Sequence, residues 1–64
     1  MNPQEIQREI DALMEKKDDM YIKHMERYRN GSATRARTTT LNANVSMIND
    51  RITELRTNLR SVNA

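Results

Sequence analysis

Apolar residues in the second half of the chain fall at Leu41, Val45, Ile48, Ile52, Leu55, Leu59 and Val62, alternately four and three apart. That is a heptad seam, with Val45, Ile52 and Leu59 at a and Leu41, Ile48, Leu55 and Val62 at d. Side chains on a strand alternate with period two, so the pattern excludes a strand. A helix carrying so narrow a stripe is stable only when the stripe lies against another helix.

The first half supplies a partner. Ile6, Ile10, Leu13, Met14, Met20, Tyr21, Met25 and Tyr28 share one face at about 100° per residue. This stripe is broader than the second and less pure. Lys17 and His24 lie at its centre, and Ile22 lies outside it. Asn2 is a good N-cap, Pro3 suits the first helical position, and Glu5 stands at capping-box spacing.

Asn30-Gly31 ends this helix, because glycine tolerates the left-handed conformation that closes a helix C-terminus. Arg27 and Arg29 suit the negative end of the dipole. Ser32 or Thr34 can cap the next helix. Thr38-Thr39-Thr40 has poor helix propensity, so two connections compete, a short turn at 30–32 or a looser segment to about residue 38. The short turn gives helices of matched length, about 3–29 and 33–62, each roughly 40 Å long at 1.5 Å per residue. The expected fold is therefore all-α, one antiparallel helical hairpin occupying 1–64. Its register sets Ile6 near Val62, Leu13 near Leu55, Met20 and Tyr21 near Ile48, and Tyr28 near Leu41.

Size changes this picture. Sixty-four residues bury a modest core, and chains this short usually add disulfides, a metal or a partner. There is no Cys and one His, so disulfides are excluded and a zinc site within one chain is not expected. Self-association into a four-helix bundle or larger helical oligomer is the expected route, through the seam residues together with Ile6, Ile10, Leu13, Tyr21 and Tyr28. No apolar run is long enough for a transmembrane helix, and the opening segment lacks the features of a signal peptide. With no Cys, a cytoplasmic setting is the expectation.

The net charge of +2 is uninformative, but its distribution is not. Residues 1–26 hold four Lys or Arg and seven Asp or Glu, a net −3, whereas residues 27–37 hold four Arg and no acid. Arg35 and Arg37 open the second helix, where the dipole favours acids. With Arg27 and Arg29 across the turn they make a candidate anion or nucleic-acid site at the hairpin tip. The same four arginines also serve simply as a solvated tip.

Other candidate chemistry is sparse. Asp18 and Asp19 diverge by about 100° on a helix and cannot act as a pair. One His, no Cys and too little mass to enclose a cleft argue against an enzyme, and no cofactor is implied. Lys17 and His24 suit either a pH-dependent seam or polar positions that fix register, and the second is favoured. Tyr21 and Tyr28, one heptad apart, suit base stacking or a core with hydroxyls at the rim, and the core is favoured.

In length and hairpin form the chain resembles the small plasmid RNA-binding repressors that dimerise into four-helix bundles, and also short helical-hairpin secretion chaperones. Its size, its Asn and Thr content and its Met-rich first helix suit a phage or mobile-element protein. The expected function is a non-enzymatic interaction module that oligomerises and regulates or assembles with a protein partner. Binding of nucleic acid or a phosphorylated ligand through the tip, and a purely structural scaffold role, are the alternatives.

Overall fold

A computed structural model describes residues 2–63, which form two helices, α1 (Pro3–Arg29) and α2 (Arg35–Asn63). They pack antiparallel in a hairpin measuring 48 × 16 × 13 Å. The start of α1 follows from its first residues. Asn2 is extended, its side-chain oxygen accepts from the Glu5 N–H at 2.8 Å, and Pro3 occupies the first turn.

The end of α1 is a Schellman closure. Ser32 N–H donates to the Arg27 carbonyl at 2.8 Å and Gly31 N–H to the Tyr28 carbonyl at 3.2 Å. Gly31 takes φ +69° there, the left-handed conformation that side chains with a Cβ resist. Thr34 then caps α2, its Oγ1 accepting from the Arg37 N–H at 3.1 Å.

The connection is thus residues 30–34, two longer than the expected turn, and α2 opens at Arg35 rather than 33. The physical reason is that Thr34, and not Ser32, serves as the cap. Ser32 Oγ instead donates back to the Arg27 carbonyl at 3.4 Å. The threonine run is fully helical. Thr39 and Thr40 each donate to the carbonyl four residues earlier at 3.0 Å, which satisfies their hydroxyls within the helix.

The core lies toward the open end of the hairpin. Ile6, Ile10, Ile48, Ile52 and Leu55 form one buried cluster, with Leu13, Met20 and Leu59 packed against it. Leu41 and Val45 continue the buried line of α2 toward the tip. Fully burying a side chain such as Leu55 stabilises the fold by about 1.5–3 kcal/mol.

Three residues assigned to the core need correction. Val62, assigned to the seam, is half exposed in the last turn of α2. Tyr21 and Tyr28, expected in the core, are 44% and 66% exposed. His24, read at the centre of the α1 stripe, is only 8% exposed and takes that inward position.

Candidate functional site

The positions that face α2 explain those corrections. In α1 the inward line is Ile6, Ile10, Leu13, Lys17, Met20 and His24, again alternately four and three apart, and Arg27 continues the spacing but is exposed. So α1 also carries a heptad seam, with polar residues at Lys17 and His24. Met14, Tyr21 and Tyr28 belong to the next line round the helix, seven residues apart along one edge.

Lys17 and His24 are engaged differently. Lys17 Nζ donates to Asn49 Oδ1 across the hairpin at 3.1 Å, with its stem half-buried. His24 Nε2 lies 3.3 Å from Thr38 Oγ1, and its ring meets the Tyr28 ring edge-on, with centroids 5.2 Å apart. Its Nδ1 is buried with no hydrogen-bond partner. These links hold α1 and α2 at one alignment, which is what polar residues in a helical seam do best.

The two edges of the seam differ in character. On one edge Glu9 Oε1 accepts from Arg51 at 3.0 and 3.2 Å, and Arg51 also pairs with Glu54 at 3.2 Å. The hydrogen bond and charge of Glu9, opposed by some desolvation, push the Arg51 guanidinium above its ordinary value. Further along this edge, toward the tip, lies a groove of about 510 Å³. Lys23, Arg27 and Arg37 line it over a floor of Met20 and Leu41, with Asn44 at the side.

The arginines expected to act together are therefore divided. Arg27 and Arg37 share the groove, whereas Arg29 and Arg35 are exposed outside it. Arg37 is also partly occupied, because its guanidinium donates to the Ser32 carbonyl at 3.0 Å and braces the connection. Lys23, absent from the expected set, completes the groove. The signal for it was positional: Glu9 and Lys23 in α1, and Arg37, Asn44 and Arg51 in α2, fall on single lines at multiples of seven. No acid lines the groove, so it presents three cations to any anion that enters.

The opposite edge is apolar on α1 and polar on α2. Met14, Tyr21, Met25 and Tyr28 are exposed along α1. Beside them α2 offers Asn42, Asn49 and Arg56, seven apart, which give no apolar cover.

Among the described residues no three His, Asp or Glu gather to hold a metal ion, and no helix is long and apolar enough to cross a membrane. Comparison with known protein families, curated proteins and solved structures finds no match.

Proposed function

We propose that the chain is a small non-enzymatic helical-hairpin module that oligomerises and, as an oligomer, assembles with or regulates a protein partner. One observation carries this reading: a continuous exposed apolar edge of α1, formed by Met14, Tyr21, Met25 and Tyr28, that α2 does not cover. Several large side chains in one line on so small a chain are a contact surface rather than scattered surface hydrophobes. The engaged seam polars support the same reading, because they keep the hairpin in one alignment and so hold that edge straight. A cytoplasmic setting suits a chain without cysteine.

Sedimentation equilibrium at micromolar concentration tests it. A dimer or larger species, with a melting temperature that rises with concentration, is the expected result. A concentration-independent monomer overturns it.

A specific observation also favours a second role, the binding of nucleic acid or a phosphorylated ligand in the groove of Lys23, Arg27 and Arg37. Titration with an oligonucleotide at low and moderate salt is the test. Phosphate binding weakens steeply with salt and is abolished in Lys23→Glu/Arg27→Glu. Curves indistinguishable between wild type and variant leave these cations as a solvated face.

A further inference from the structure

We propose that two copies of the hairpin pair through the exposed edge of α1, antiparallel, about a two-fold axis passing beside Tyr21. This rests on the reading that the chain associates with itself, and it names the surface and the direction of the pairing. Met14 and Tyr28 lie seven residues to either side of Tyr21 on one line of the helix. A two-fold at Tyr21 therefore sets Met14 of each copy against Tyr28 of the other, and Tyr21 against its own equivalent. Self-complementarity of this kind is what an isologous interface requires.

The residues beside that line choose the direction. At 100° per residue, Asp11, Asp18, Ile22 and Arg29 all fall on the flank of the line turned away from α2. The two acids precede Tyr21 and Arg29 follows it. Antiparallel pairing lays Asp11 of each copy alongside Arg29 of the other. Parallel pairing instead carries this flank to opposite sides of the two-fold, so Asp11 of one copy no longer reaches Arg29 of the other and the attraction is lost. None of these three has an ion-pair partner among the described residues, so all are available. Ile22, which fits neither the seam nor the apolar edge of a lone hairpin, meets its own equivalent one residue from the axis. Its 55% exposure in the single chain then has an occupant.

The polar edge of α2 fixes which helix is central. Asn42, Asn49 and Arg56 offer no apolar contact, so the second copy sits on α1 and the two α2 helices lie outermost.

The chain has no cysteine, so single-cysteine variants report the arrangement directly. Under mild oxidation Tyr21→Cys is expected to form a disulfide-linked dimer by itself. Met14→Cys and Tyr28→Cys are each expected to stay uncrosslinked alone, because fourteen residues of helix separate equivalent sites by about 21 Å. Mixed together, those two variants are expected to crosslink to each other. Arg29→Glu is expected to weaken association about tenfold at low salt, and adding Asp11→Arg and Asp18→Arg is expected to restore it.

Self-crosslinking of Met14→Cys and of Tyr28→Cys, without the mixed product, overturns the proposal in favour of a parallel pair. A wild type that sediments as a dimer while no variant crosslinks and the charge swap changes nothing overturns this face, and leaves the oligomeric module standing. A wild type that is monomeric throughout removes both.

Discussion

The two helices are nearly equal in length, yet they distribute their apolar residues in opposite ways. In α2 every inward position from Leu41 to Leu59 is aliphatic, and among the described residues its large exposed apolar side chains are Met47 and, in the last turn, Val62. In α1 the inward line gives Lys17 and His24 places that apolar residues would suit, while two methionines and two tyrosines stand on the edge. The amphipathicity of α2 is satisfied by α1 alone. That of α1 is divided between α2 and something beyond the hairpin. An imperfect stripe is therefore more informative about association than a perfect one.

The largest effects break the contrast at the covered seam. Leu55 is fully buried and Ile52 nearly so, and replacing either with Ala is expected to cost about 2–5 kcal/mol. For so small a domain that loss is enough to unfold it. Met25→Ala, on the 60% exposed edge, is expected to change the stability of the dilute chain by less than about 0.5 kcal/mol. Thermal melts followed by circular dichroism compare the three. Equal losses at Leu55 and Met25 would dissolve the distinction between seam and edge.

Next in size is a change that makes the α1 seam resemble that of α2. His24 is buried with Nδ1 unpartnered, a defect that costs about 1–3 kcal/mol. His24→Leu removes it and is expected to raise the melting temperature, with part of the gain offset by the lost contact to Thr38. Combining it with Lys17→Ile is expected to stabilise further, and also to broaden the oligomer distribution, because the polar links that hold one alignment are gone. A double variant that stays as uniform in sedimentation as the wild type would show that those links do not specify alignment.

Much of this arrangement is legible in the sequence. The α2 seam, the Asn2-Pro3-Glu5 start and the Gly31 stop follow from local rules, and the structure keeps all three. The breadth of the α1 stripe was legible as well, but its division was not. Reading Met14, Tyr21 and Tyr28 with Ile6 and Leu13 as one face ignored that a single partner helix covers only a narrow line. Once α2 takes that line, His24 goes in and Tyr28 goes out, although hydrophobicity alone ranks them the other way. The tip divides for a similar reason. Four arginines are close in sequence, yet Thr34 rather than Ser32 caps α2, and the longer connection leaves Arg29 and Arg35 outside the groove that Arg27 and Arg37 share.

A smaller effect separates the two helix starts. α1 opens with an Asn cap, a Pro and an acid in its first turn, whereas α2 has no acid there and opens on Arg35. Thr34 is thus the main local support for the start of α2. Thr34→Ala is expected to cost about 1 kcal/mol, and Thr34→Ser to recover most of it. Loss of amide-exchange protection at Arg37, whose N–H the Thr34 hydroxyl accepts, locates the effect. Unchanged protection would move the start of α2 away from Thr34.

The smallest expected effect belongs to the ion pair across the polar edge. Arg51 and Glu9 are both partly exposed, so water screens their attraction and each long side chain loses freedom in holding the geometry. Arg51→Met keeps the apolar stem against the seam while removing the charge. Its melting temperature is expected to fall only slightly at low salt, and the difference to vanish near 1 M salt, where the screening length is about 3 Å. The pH dependence has a definite sign. Because Glu9 raises the guanidinium above its ordinary value, the stabilisation is fully present below that value and is lost only as pH rises through the raised one. Arg51 therefore adds no slope to stability between about pH 5 and 9. A salt-independent deficit in Arg51→Met would mean that the side chain acts by packing on the seam, and would make this edge as apolar in function as the one opposite.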